Sequence, residues 1–193
     1  MRVFLREILG PILLAVIIFL ILQATMQSFV VVGSSMKPSL YDGQRLLINK
    51  VVYSLHEPEV GDVVVFEPPN NRQADYIKRI IGLPGDTVEI KMDVVYVNGS
   101  PLDERTYIKE LPRYSLPQQK IPENEYFVLG DNRNNSNDSH NGWTVPRQNI
   151  IGKAWLSIWP PRQWGVVASY PLAEQLTNSA PIPVTGAYRA SVD

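Results

Sequence analysis

The chain has 193 residues, room for one domain with a core of its own plus appendages, and its 18 basic and 19 acidic side chains leave a net charge of −1. That balance offers no strongly basic face for nucleic acid, and the absence of cysteine removes disulfides, a thiol nucleophile and thiolate metal sites. The 2 histidines, His56 and His140, are too few for most histidine-built metal centres.

The mean hydropathy of −0.09 conceals a sharp division. Arg2 and Arg6 lie at the start, and residues 8–36 then contain no charged side chain. Such a run is long enough for a membrane helix, which needs ~20 apolar residues. Its apolar side chains surround the whole helix circumference, unlike the one-sided stripe of a helix packed on a core. A cleaved secretory leader is the alternative. The run exceeds the usual apolar region of a leader, and its exit, Leu22-Gln23-Ala24-Thr25-Met26, offers no small-x-small cleavage site. Arg2 and Arg6 before the run stand against Lys37 and Arg45 after it, so the positive-inside rule only leans toward a cytoplasmic N-terminus. The expected division is a short cytoplasmic N-terminus over 1–7, a membrane-spanning helix over 8–29, a β-rich domain over 30–164 and a loose tail over 165–193.

Beyond the helix, short apolar runs alternate with turn residues. RLLINKVVY, GDVVVFEPP, YIKRIIGLPGD and TVEIKMDVVYVNGSPL read as strands and turns, and Asn98-Gly99 is a hairpin signal. EYFVLGDN and IIGKAWLSIWPP continue the pattern, and no long amphipathic helix follows. The fold class expected is all-β, an irregular antiparallel domain behind a single N-terminal transmembrane helix. Trp155, in the alternating run Ala154-Trp155-Leu156-Ser157-Ile158, is expected in the core. Trp159, beside Pro160 and Pro161, suits the headgroup region of a membrane surface.

Three segments hold chemistry-bearing side chains. Gly33-Ser34-Ser35-Met36-Lys37-Pro38 is a turn by its glycine and proline, and adjacent serines there are ordinarily solvated hydroxyls. Ser34 and Lys37 match Ser-x-x-Lys, but Pro38 disfavours the helical turn that spacing needs. In the second segment, Lys78 and Arg79 are neighbours in a strand and should point to opposite faces; if Arg79 faces out, Lys78 faces in. An inward lysine either snorkels to water or loses its proton, and the neutral amine is a competent general base. The third, residues 130–140, is a polar loop after the apolar Phe127-Val128-Leu129. It lacks the order of a calcium loop, and its Asn-x-Ser matches at Asn134 and Asn137 matter only in a glycosylating lineage.

Taken together, these segments resemble the type I signal peptidases, membrane-bound serine endopeptidases that remove signal peptides from exported proteins. The motifs are Gly-x-Ser-Met-x-Pro, then Gly61-Asp62-Val63-Val64-Val65-Phe66, then residues 76–86, then Gly130-Asp131-Asn132-Arg133-x-x-Ser136-x-Asp138-Ser139, in the family's order behind an N-terminal anchor. The resemblance implies Ser35 as nucleophile, Lys78 as general base and Ser136 as the hydroxyl that orients the lysine. It implies Arg79 and Asp138 as a supporting ion pair, and shallow pockets for small side chains lined by Val31, Val32, Met36, Leu40, Tyr76 and Ile77. It implies no metal and no cofactor. The partners it implies are signal-peptide-bearing precursors, cleaved after A-x-A-like sites through an acyl-enzyme, and membrane lipid. The location it implies is the cell membrane, with the catalytic domain extracytoplasmic. Two positions depart from the pattern: Gly33 where some members carry an oxyanion-donating hydroxyl, and His140 where arginine is frequent. The region between Ser100 and Tyr126 is too short for the second domain of some members.

Two other readings remain open on the residues alone. One is an anchored binding module whose loops merely fold. The other is a self-cleaving Ser/Lys repressor protease, which would need a DNA-binding domain. The module is separated from a peptidase by whether Ser35 and Lys78 come within hydrogen-bond reach.

Overall fold

Helix α1 (Arg2–Thr25) takes in the first part of the uncharged run, with Pro11 inside it. The large apolar side chains described along it, from Leu9 to Leu22, are 45% to 62% exposed, so nothing in the domain covers them. The computed structural model describes residues 2–70, 74–170 and 172–177, apart from the side chains of residues 2–8, 173 and 177. Among the described residues no helix is long and apolar enough to cross a membrane. Helix α1 ends short of the bound expected at residue 29. The Thr25 hydroxyl turns back to the Ile21 carbonyl at 2.8 Å, and the next residues leave the helix to form strand β1 (Met26–Val30). Phe29 and Val30 suit a strand, and the ladder to β2 (Arg45–Asn49) rewards the change.

A short helix α2 (Val52–Leu55) leads to β3 (Val63–Phe66) and β4 (Tyr76–Gly82). The hairpin read at Asn98-Gly99 joins β6 (Val94–Val97) to β7 (Ser100–Pro101), after β5 (Thr87–Lys91). Then come β8 (Leu116–Lys120), β9 (Glu125–Leu129), β10 (Val145–Pro146), β11 (Ile150–Trp159) and β12 (Gly165–Val166). Helix α3 (Leu172–Thr177) ends the described chain. The main sheet runs β1-β2-β11-β3-β4-β9-β10, with β12 on β11, and a second sheet runs β7-β6-β5-β8. The strand pairings are antiparallel, as the turn-rich sequence implies.

Strand β4 lies between β3 and β9 and is buried from Ile77 to Gly82. On one face Ile77 joins a cluster with Val31, Met36 and Leu40, and Ile81 packs under the second sheet with Val88, Ile90, Val95 and Val97; on the other, Ile80 packs with Val64, Phe66, Tyr126 and Val128. Both faces of β4 are therefore covered. Lys78 and Arg79 do point apart, but neither reaches solvent: they are 4% and 0% exposed.

Two further expectations change. Trp155 is 47% exposed, because a register shift in β11 between Ala154 and Leu156 breaks the alternation and Ala154 takes the inward place. Of the tail expected to be loose, Val167 and Leu172 are buried and α3 packs against the body through Leu172 and Leu176. Residues 178–193 lie outside the described residues.

Candidate active site

The turn after β1 carries Ser35. Its entry is fixed where the Gly33 N–H donates to Asp42 Oδ1 at 2.7 Å, at a φ of +90° that favours glycine. Its exit is fixed by Met36, 1% exposed, whose carbonyl accepts from the Leu40 N–H at 2.8 Å. Ser35 is thus presented by a turn rooted in the apolar cluster on both sides.

Strand β4 brings Lys78 to this turn from 43 residues away, with Nζ 2.7 Å from Ser35 Oγ. Nζ also donates to the Ile77 carbonyl at 2.9 Å and lies 5.3 Å from the centre of the Tyr76 ring. Burial pushes the Lys78 amine down from 10.5 to about 8, against Asp138 and Asp131, which favour the charged form. With a pKa of 8, about one amine in ten is neutral at pH 7; at 10.5 the fraction is about one in three thousand.

The polar loop after β9 grips the same turn. The Asn132 N–H donates to the Ser35 carbonyl at 2.9 Å, its side-chain amide to the Ser34 carbonyl at 3.1 Å, and Asn135 to the Ser34 hydroxyl at 3.0 Å. Gly130 permits the approach: a Cβ there would lie 2.2 Å from Ser136 Oγ and 2.5 Å from the Ser35 carbonyl oxygen. Ser136 is therefore at the site, but its buried hydroxyl has no hydrogen-bond partner among the described residues. The bond expected from Ser136 to Lys78 is not formed; the hydrogen bonds of Nζ go to Ser35 and Ile77.

The ion pair expected between Arg79 and Asp138 is also not formed. Arg79 meets Asp131 through two parallel bonds, Nε to Oδ1 at 2.9 Å and Nη2 to Oδ2 at 2.7 Å. The reason is register. Leu129 of β9 pairs with Arg79, so the chain leaving β9 carries Asp131 to the guanidinium. The Asp138 carboxylate is occupied by the Gly130 N–H at 2.9 Å and by His140 Nδ1 at 2.6 Å. His140 stacks on Tyr114 with ring centres 4.2 Å apart.

Of the residues expected to line pockets, Val31, Met36, Leu40 and Ile77 are buried in one cluster, and Val32 is 83% exposed. Tyr76 is half-buried and lines a cavity of about 150 Å³ with Pro68, Asn70, Asn137, Asn141 and Trp143.

Sequence reasoning assigned no role to Asp131, Asn132, Tyr107, Tyr170 or the buried Arg133–Glu104 pair. Asp131, Asn132 and Arg133 left a signal, as part of the polar motif directly after the apolar strand and Gly130.

Residues 5–159 match the family described as signal peptidase, peptidase S26. The chain is 42% identical over 175 residues to the probable signal peptidase I-1 of Synechocystis sp., covering 86% of this chain and 89% of that one. It is 43% identical over 147 residues to signal peptidase I of Leptolyngbya laminosa, covering 72% and 71%, respectively. It is 37% identical over 162 residues to signal peptidase IB of Staphylococcus aureus, covering 75% and 84%. A crystal structure of a signal peptidase I from Enterococcus faecalis V583 aligns with a TM-score of 0.44 at 32% identity, covering 50% of this chain and 96% of that one.

Proposed function

The chain belongs to the signal peptidase family, peptide-bond hydrolases that cleave signal peptides, and on that premise we propose that it works through a dyad of Ser35 and Lys78. The observation that carries this reading is the 2.7 Å contact between a buried lysine and a serine held in a rigid turn. It is the contact that a binding module has no use for.

In the proposed reaction the neutral Lys78 amine takes the Ser35 proton as Oγ attacks the scissile carbonyl carbon. The carbonyl oxygen becomes an oxyanion. With no side chain at Gly33, backbone N–H groups, chiefly that of Ser35, stabilise it. The carbon–nitrogen bond then breaks, and the Lys78 ammonium gives its proton to the leaving amine. An ester on Ser35 remains. A water deprotonated by Lys78 hydrolyses it and regenerates the serine. General-base assistance of this kind supplies ~10²–10⁴-fold. No metal or cofactor takes part.

The substrate would be the extended end of a signal peptide with A-x-A-like small residues, the chemistry that the family's cleavage of signal peptides calls for. The exposed edge strand β1 runs directly into the Ser35 turn and suits an extended peptide that pairs with it. Helix α1, with its uncovered apolar side chains, would lie in the bilayer with the domain on the extracytoplasmic side, near precursors whose own apolar segments are still in the membrane. Ser136 would orient the amine at a stage when Lys78 releases Ser35. Purified wild type and Ser35→Ala, incubated with a signal-peptide-bearing precursor, test the proposal. Cleavage by wild type alone is expected, and equal cleavage by both would overturn it. Carbonate extraction and protease access to the domain in spheroplasts test the anchor and its orientation.

A further inference from the structure

Arg79 takes no part in the reaction above, yet it is among the largest fully buried side chains in the protein. A buried guanidinium needs a counter-charge and acceptors for its N–H groups. Asp131 supplies the charge, and the carbonyls of Gly61 and Ala168 accept from Nη1 at 2.7 and 3.1 Å. Its central carbon also lies 4.6 Å from the Tyr107 ring and 4.9 Å from the Tyr170 ring, and the two rings stack 5.0 Å apart. Such contacts are favourable, and more so where water is excluded.

Ala168 and Tyr170 belong to the strap that leaves β12. This strap lies beyond residues 5–159, the part matched by the family. It is tied along its length. The Val167 N–H donates to the Trp155 carbonyl at 2.9 Å, Leu172 is 1% exposed in the core, and Gln175 exchanges two hydrogen bonds with the backbone of Asp103 at 2.8 and 3.2 Å. Its closest approach is at Gly61, where a Cβ would lie 1.9 Å from the Tyr170 carbonyl oxygen. From Arg79 the connection continues through Asp131 to Asn132, whose N–H holds the Ser35 carbonyl at 2.9 Å.

We infer that the strap over residues 166–170 positions the catalytic centre: Tyr170 and Ala168 fix the Arg79 guanidinium, which fixes Asp131 and so the grip of Asn132 on the Ser35 turn. This rests on the Ser35–Lys78 reading. Tyr170 touches neither substrate nor dyad, so it is a positioning residue. Its loss should slow the chemical step and spare binding.

The test is precursor cleavage by the full chain in detergent, with kcat and KM measured separately and folding followed by thermal denaturation. Tyr170→Ala is expected to lower kcat ~10-fold with KM within ~2-fold, the pattern of lost alignment. Tyr170→Phe, which keeps the ring, is expected to restore kcat, since the hydroxyl makes only a 3.5 Å bond to the Thr106 carbonyl. Tyr170→Leu fills the space without a π face and should behave as the alanine variant; if Tyr170→Ala does not fold, this variant decides. A folded Tyr170→Leu or Tyr170→Ala with wild-type kcat would overturn the inference, as would a phenylalanine variant no better than alanine. Ser35→Ala in parallel separates the two proposals. If it cleaves, the dyad fails; if it is inert while the Tyr170 variants are normal, only the strap fails.

Discussion

Lys78 Nζ lies 2.7 Å from Ser35 Oγ, and the hydrogen bond to the Ile77 carbonyl at 2.9 Å, from the neighbouring residue on β4, holds it there. The amine is anchored to its own strand and aimed at a turn 43 residues away. Replacing either partner tests the pair. Ser35→Ala and Lys78→Met should each reduce precursor cleavage by ~10³-fold or more, since nucleophile and base act as a unit. Both variants should unfold cooperatively in urea. Turnover near the wild-type rate by either would remove the dyad.

The pH dependence follows from burial of Lys78. Its amine is lowered in the folded protein from 10.5 to about 8, so kcat/KM should rise with pH through an ionisation near 8. A limb appearing only near 10.5 would mean an ordinary exposed lysine. Stability changes over the same range. Between about 8 and 10.5 the unfolded chain holds a proton that the folded chain has released, so stability rises with pH there. Below about 8 both states are protonated, and the full penalty, on the order of 3 kcal/mol, is present. Urea unfolding at the two ends of this window, wild type against Lys78→Met, measures it. Wild type should gain with pH relative to the variant.

Burial also separates two ion pairs of similar length. Arg79 and Asp131 are both 0% exposed at 2.7 Å, whereas Arg113 and Glu110 are 76% and 60% exposed at 2.9 Å. Asp131→Ala leaves a guanidinium buried without its counter-charge and should cost ~3–5 kcal/mol. Glu110→Ala should cost ~1 kcal/mol or less. Chemical denaturation of the two variants gives the comparison directly; equal losses would show that Arg79 is not the buried charge described.

At Gly130 the Ser35 carbonyl comes too close for any side chain. Gly130→Ala must push the loop or the nucleophile turn aside, and a displacement of about 1 Å can cost ~10²-fold in rate. The expected outcome is a large fall in kcat with a smaller change in KM. A wild-type kcat would mean that the turn yields freely.

Much of the site was legible in the sequence because its signals are local. The Gly33–Pro38 turn, the apolar context of Lys78 and the polar run after Leu129 each stand out within a few residues. What joins them is not local. Whether Arg79 meets Asp131 or Asp138 depends on the register of β4 against β9, which shifts between Ile80 and Gly82. The outward turn of Trp155 depends on a similar irregularity in β11. Tyr170 sits in a stretch whose proline and small polar residues resemble a loose tail, and only the buried Leu172 and the guanidinium across from it explain why it is held. The ion pair read onto Arg79 and Asp138 failed because a carboxylate seven residues earlier in the same loop was better placed by the ladder.

Helix α1 passes into strand β1 between Thr25 and Met26 with no linking residue, and the ladder begins at the junction, where the Lys50 N–H donates to the Thr25 carbonyl at 2.9 Å. There is no swivel. The helix is a lever whose short end is built into the sheet, so its tilt and rotation are passed to the domain. One residue inserted before Thr25 would turn the sheet by about 100° about the helix axis and move it about 1.5 Å along it. The direction in which the Ser35 turn faces is thus set by the number of residues in the helix, as the phase of a screw is set by its thread.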